Sequence, residues 1–167
     1  MSINVCCFTG HRPYSFPFGS DESSVAFSEF KKTLDLTVER LVKEGCRCFL
    51  TGMAEGFDIW AAESVLRVCR RVPAALCAVV PFSGHRQRIS PRFAERYDMI
   101  LRCADSVKVL ADGYSPSRYR ERNKYMVDNS DAVIAAYDRR NPRSGTGQTV
   151  RYALSLGRHV IELPLKF

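Results

Sequence analysis

Six short apolar runs punctuate the chain, and most end at a glycine, a proline or an aspartate. Ile3–Phe8 stops at Thr9-Gly10 and Arg47–Leu50 at Thr51-Gly52. Ala75–Val80 stops at Pro81, Val107–Leu110 before Asp112-Gly113, Ala132–Tyr137 at Asp138, and His159–Leu163 at Pro164. The runs are mostly continuous rather than alternating. That is the pattern of strands in a parallel sheet covered on both faces.

Helical spacing fills the intervals. Phe27, Phe30, Leu34, Val38 and Leu41 recur at three and four residues, with Gly45 as the stop. Ile59, Ala62, Leu66 and Cys69 form a second stripe, and weaker periodicity predicts helices over about 91–103 and 117–129. Val150, Ala153 and Leu154 mark a last helix that ends at Gly157. Strand and helix alternate throughout. The expected fold is α/β: a single Rossmann-like domain over 1–167, with an open, mostly parallel sheet of about six strands and helices on both faces. Only His11–Ser24 reads as a long loop, and long loops in compact domains are often functional.

Ligands of such sheets bind beyond the carboxyl ends of the strands. Thr9-Gly10-His11-Arg12-Pro13 follows the first strand and brings two candidate cations, His11 and Arg12, to that edge. Arg12 is either a phosphate fork or a surface arginine in a turn. Thr51-Gly52-Met53-Ala54-Glu55-Gly56-Phe57-Asp58 follows the second strand and leads into a helix. Its glycines would let backbone approach a ligand. Asp58 is either a helix cap or an acceptor for a ribose hydroxyl. The turn is expected to line the same pocket from the neighbouring strand. After the fifth strand, Ser144-Gly145-Thr146-Gly147-Gln148-Thr149 opens the last helix. Bare amides, hydroxyls and a positive dipole end make this a phosphate cradle, the alternative being a flexible turn with an N-cap. The expected anion position lies between Gly145–Thr149 and Thr9–Arg12. Asn123 shares a helix face with Tyr119 and Met126, so its amide must hydrogen-bond loop backbone or a ligand.

Composition narrows the classes. The chain has 167 residues, enough for one domain that buries roughly 70% of its unfolded surface. Hydrophobic residues at 46% exclude disorder as the dominant state. The longest nearly uncharged apolar stretch, Val72–Phe82, is 11 residues, against about 20 for a membrane span. Met1–Val5 lacks the features of a signal peptide, so the expected compartment is the cytoplasm. A net charge of +7 favours anionic partners without choosing between nucleotides and nucleic acid. Seven cysteines without a C-x-x-C pair read as free thiols in a reducing cytosol, and no metal cluster is expected. The chain has no three-glycine dinucleotide fingerprint and no G-x-x-x-x-G-K-[ST] loop.

Thr9-Gly10-His11-Arg12-Pro13, Thr51-Gly52-x-Ala54-x-Gly56-x-Asp58-x-x-Ala61-Ala62 and Ser144-Gly145-Thr146-Gly147-x-Thr149 together resemble the YpsA-like family. Pro81-Phe82 with Gln87, and Arg122-Asn123-x-x-Met126-Val127-Asp128-x-Ser130-Asp131, fit it as well. That family belongs to the superfamily named after the Smf/DprA and Log proteins. The resemblance runs from Phe8 to about Glu162 and implies a Rossmann-like pocket for a nucleotide or nucleotide-derived ligand, in a bacterial-type protein that needs no cofactor. The first expectation is therefore nucleotide binding, as in a sensor. The alternative is a nucleotide N-glycosidic hydrolase, because the third segment loosely resembles the Log-type phosphoribohydrolase motif. The glutamate of that motif is absent from Gln148-Thr149-Val150-Arg151-Tyr152, leaving Glu55 and Asp58 as candidate catalytic carboxylates. Single-stranded nucleic acid is a third alternative, motivated by Arg118, Arg120, Arg122 and Lys124 and by a likeness of the second segment to DNA-processing protein A. A homodimer is compatible with superfamily habit.

Overall fold

The computed structural model describes residues 2–165. Six strands form one all-parallel sheet: β1 (Val5–Gly10), β2 (Cys48–Thr51), β3 (Ala75–Val80), β4 (Ser106–Val109), β5 (Ala132–Ala136) and β6 (His159–Glu162). Their order is β4-β3-β2-β1-β5-β6. The order reverses beside β1, so a crevice opens between the loops that leave β1 and β5. Five helices connect the strands: α1 (Val25–Lys43), α2 (Phe57–Val68), α3 (Pro91–Cys103), α4 (Arg118–Asp128) and α5 (Gly145–Ser155).

Alternate side chains of each strand serve opposite faces. Phe8, Phe49, Leu76, Ala78 and Ile134 point to the face covered by α1, α2 and α3. Cys7, Leu50, Val79 and Val133 meet Met126 and Val127 of α4 and Ala153 of α5 on the other. Both faces are covered over the central strands, which is why those read as unbroken apolar runs, while the edge strand β4 is exposed along its length. Asp131 fixes the central pairing: its Oδ2 accepts from the amides of Asn4 and Val5, each at 2.9 Å.

Most strand boundaries differ from the sequence pattern by one or two residues. The first strand runs on through Thr9 and Gly10, and the His11 amide still donates to Ala136 O at 3.1 Å, so the backbone ladder overrides the glycine. A 3-10 turn at His85–Arg88 had no apolar periodicity to announce it. The long loop after β1 is not loose either. Pro13–Ser15 forms a 3-10 turn, and the buried Phe16 packs edge-on against Trp60, 5.2 Å between centroids. Phe18 stacks on Phe16 and meets Phe27 edge-on. This aromatic plug anchors the loop on α1 and α2, and leaves His11, Arg12, Tyr14 and Ser15 at the crevice.

The seven cysteines are free thiols. Burial raises the Cys7 pKa to about 12, which keeps the group a neutral thiol. No helix among the described residues is long and apolar enough to cross a membrane.

Candidate functional site

The crevice between the β1 and β5 loops is a cleft of about 600 Å³. Thr9, Gly10, His11 and Arg12 line one wall, and Ser144, Gly145 and Thr146 line the facing one. Asp58 and Ala54 enter from the β2 side, and Tyr119, Arg122 and Asn123 of α4 close the back.

The β5 wall is the start of a helix. Ser144 is the N-cap of α5, and its Oγ accepts from the Gly147 amide at 3.0 Å. The Ser144 hydroxyl is thus used within the helix. The amides of Gly145 and Thr146 have no hydrogen-bond acceptor among the described residues, nor does the Thr146 hydroxyl donate to one. Two orphan amides at the positive end of a helix dipole therefore border the cleft.

The β1 wall supplies charge. Arg12 makes no side-chain hydrogen bond or ion pair among the described residues, and its nearest ring is Tyr119, 6.0 Å from the guanidinium carbon. His11 behaves otherwise. Its Nε2 accepts from the Asp138 amide at 2.8 Å, which requires a deprotonated Nε2. Burial lowers its pKa, with the Asp138 carboxylate pulling the other way. Only one of the two expected cations is therefore a cation at neutral pH. His11 instead clips the β5 loop to β1.

At the back, Arg122 is buried. Its Nη1 donates to Gly52 O, and it lies 4.0 Å from Asp58 Oδ2. Burial raises the Asp58 pKa, and Arg122 and the Ala54 amide, a donor to Oδ2 at 3.2 Å, oppose that rise. Burial pushes Arg122 down while Asp58 pulls it up. Asp58 is thus neither a helix cap nor a solvated carboxylate. The cap position belongs to Gly56, and the Asp58 side chain turns back toward Arg122 and the cleft.

Asn123 connects the two helices. It accepts from Arg122 Nε at 2.7 Å and donates to Thr149 Oγ1 at 3.1 Å, and Thr149 in turn donates to Gly145 O at 2.9 Å. This chain of bonds holds the first turn of α5 against α4. Asn123 satisfies its amide through side chains rather than loop backbone, and still borders the cleft. Thr149 is a positioning group.

Several expected contacts lie elsewhere. Glu55 accepts from the Ser90 amide at the start of α3 and faces a separate, smaller depression beside Arg92 and Phe93, outside the main cleft. Thr51 is fully buried and donates to Asp58 O at 3.0 Å. Gln148 donates to Arg143 O and borders a groove between α4 and α5, outside the main cleft. The glycines, read as openings for a ligand, mostly make room for protein. A Cβ on Gly10 would run into the Phe57 ring, and one on Gly147 would lie 2.6 Å from Pro142 O. Gly56, at φ +86°, would meet Pro13 Cδ at 2.8 Å, and Gly52 would meet Asp58 Oδ2 at 2.7 Å. Of the β2 turn, then, Ala54 and Asp58 reach the cleft, while Gly52 and Gly56 do not. Gly145 alone among these glycines has no atom within 4 Å of such a Cβ.

Arg122 was legible only as part of a basic series on its helix, and that series does not form a stripe. Arg122 is inside, Arg118 pairs with Glu121 and Lys124 with Asp128, each at 2.8 Å. Tyr119 and Tyr14 also line the cleft without having been marked as site residues. An arginine four residues before a buried methionine, Met126, was the available signal for an inward-facing guanidinium.

The family model YpsA, described as the YspA SLOG family, matches residues 6–155. The UPF0398 protein of Bacillus velezensis is 26% identical over 140 residues, covering 81% of this chain and 76% of its own. A UPF0398 protein of Bacillus cereus strain G9842 is 28% identical over 146 residues, covering 85% and 78%. Among solved structures, the Moco carrier protein of Chlamydomonas rheinhardtii is similar in fold, with a TM-score of 0.56 at 14% identity over 95% of this chain and 74% of that one. The matched span contains every loop that builds the cleft, and the chain belongs to the YpsA family of SLOG proteins.

Proposed function

We propose that the protein binds a phosphorylated small molecule of the nucleotide class in the cleft at the switch point, as a binding or sensing protein of the bacterial cytoplasm. The phosphate sits on the Gly145 and Thr146 amides and is paired by Arg12. One observation carries this reading: two orphan helix-start amides and an arginine that makes no hydrogen bond or ion pair among the described residues line a single cleft. The surplus of +7 favours the same charge of ligand. A protein of similar fold is by name a carrier, which agrees with binding as the primary role.

Thermal unfolding with AMP, GMP, NAD, ADP-ribose and cyclic dinucleotides tests it. A compound at 100 times its dissociation constant adds about 2.7 kcal/mol, a rise of roughly 5–10 °C for a chain of this size. No rise with any phosphorylated compound overturns the reading.

The placement of Asp58 favours one second reading, cleavage of an N-glycosidic bond in the bound nucleotide. Its carboxylate is the buried acid on this cleft, and its Oδ1 makes no hydrogen bond among the described residues. Free base released from AMP or GMP, and lost in Asp58→Asn, supports hydrolysis, and intact nucleotide after prolonged incubation removes it.

A further inference from the structure

A second space adjoins the cleft. Between α4 and α5 runs a groove of about 580 Å³, walled by Pro116, Tyr119 and Tyr152. Tyr119, Asn123 and Gly145 border both spaces. We propose that this groove is the second lobe of the ligand site and takes the planar aromatic ring of the phosphorylated ligand. The inference rests on the phosphate reading above and adds the place of the ring attached to that phosphate and the side chains that hold it.

Three observations carry it. Gly145 is the threshold between the spaces, and the side chain it lacks leaves the passage open. The other glycines of these loops are explained by packing, and this one is not. A short linker such as a ribose spans the step, because the same residue supplies a phosphate-binding amide and borders the groove.

The tyrosines are fixed before any ligand arrives. Tyr152 donates to Asp128 Oδ1 at 2.5 Å and accepts from Lys124 Nζ at 2.6 Å. Tyr119 is held edge-on by Phe82 and His85, with centroids at 5.9 and 5.8 Å. Lys124 Nζ also lies over the Tyr152 ring, 4.8 Å from its centroid, so a heterocycle has the opposite face of that ring to stack on, and rings held this way lose little conformational freedom on stacking.

The groove also offers a polar edge. Gln148 commits its Nε2 to Arg143 O, and its Oε1 makes no hydrogen bond among the described residues. An acceptor beside two tyrosines suits an exocyclic amino group. A bare phosphate or a sugar phosphate would leave these walls uncovered.

Titration calorimetry on the intact chain tests this with ribose 5-phosphate against AMP, GMP, CMP and UMP. The expected result is that at least one nucleotide binds about tenfold or more tighter than ribose 5-phosphate, the scale of one base stacked on one aromatic side chain. Tyr152→Ala lowers that ratio about tenfold. Tyr152→Phe, which loses the same bond to Asp128 but keeps the ring, preserves it. Gly145→Val, which fills the passage, abolishes the preference. Equal affinity for ribose 5-phosphate and every nucleotide sinks the ring lobe and leaves the phosphate reading standing. Absence of binding by all five compounds overturns this inference, and the phosphate reading falls with it only when NAD, ADP-ribose and cyclic dinucleotides also leave the melting temperature unchanged. An unchanged ratio in Tyr152→Ala, with a shift in oligomeric state on gel filtration, assigns the groove to a subunit contact and overturns the proposal.

Discussion

The guanidinium of Arg122 occupies the space that a side chain at position 52 would need, and it bonds the Gly52 carbonyl from the same place. The absence of a side chain on β2's loop and the burial of a cation on α4 are one arrangement. Gly52→Ala should force the guanidinium away from Asp58 and destabilise the fold by about 2–4 kcal/mol, combining overpacking with a weakened buried pair. Gly145→Ala should cost nothing or add a few tenths, since its position is open and Ala restricts the unfolded chain. Urea midpoints of the two variants check the contrast, and equal midpoints would refute it.

Asp58→Asn separates a structural from a ligand role. It leaves Arg122 buried without its counter-charge, at a cost of about 3 kcal/mol. The Ala54 amide keeps an acceptor, so the β2 turn survives. Wild-type stability in this variant would mean that the pair at 4.0 Å contributes nothing.

Arg12→Ala should do the reverse. The side chain makes no hydrogen bond or ion pair among the described residues and only a distant contact with the Tyr119 ring at 6.0 Å, so stability should change by less than about 0.5 kcal/mol. Affinity for a phosphorylated ligand should fall by about 1.5–3 kcal/mol, the range of a charge-assisted bond. Calorimetry with any nucleotide that shifts the melting curve is the measurement, and undiminished affinity returns Arg12 to the role of a turn residue.

Acid should weaken the protein through buried imidazoles. Burial lowers the His85 pKa from 6.5 to about 4, with Arg122, Arg12 and Arg88 adding to the effect, and burial lowers His11 in the same direction. Below pH 6.5 the unfolded chain takes up protons that the folded chain refuses. Stability therefore falls as pH drops from 6.5, and the His85 share of the loss ends near pH 4, at on the order of 3 kcal/mol. Above pH 6.5 neither histidine contributes a slope. Urea unfolding at pH 7, 5.5 and 4.5 should show the loss in wild type and a shallower one in His85→Phe. Protonation of His11, which burial holds below its ordinary range, also breaks the bond from the Asp138 amide.

The fold was legible because both sheet faces are covered: continuous runs such as Ala132–Ala136 can be little else than a central parallel strand. The loops of the cleft were legible from the strand-end rule. What glycines do there was not, because a glycine that admits a ligand and one that admits Phe57 or Pro142 look alike in one dimension. Arg122 was hidden for a related reason. On a helix of such low hydropathy, with Arg118, Arg120 and Lys124 around it, only the depth of the Met126 face distinguishes it from solvated neighbours. Glu55 and Asp58 are three residues apart at a helix start, and only the third dimension sends one to Ser90 and the other to Arg122.

The adjacency of β1 and β5 also has a consequence for the order of events during synthesis. Asp131 reaches the Asn4 amide across 127 positions of chain, and the proposed phosphate contacts come from Arg12 on one side of that gap and Gly145 with Thr146 on the other. A ribosome must release α5 before these groups can meet. Until then the nascent chain can pair β1 with β2 and β2 with β3 but owns no cleft. A ligand of this cleft cannot template the early steps of folding. Bound as proposed, it would recognise finished molecules and stabilise those, so its pool would set how long completed copies persist rather than how fast they form.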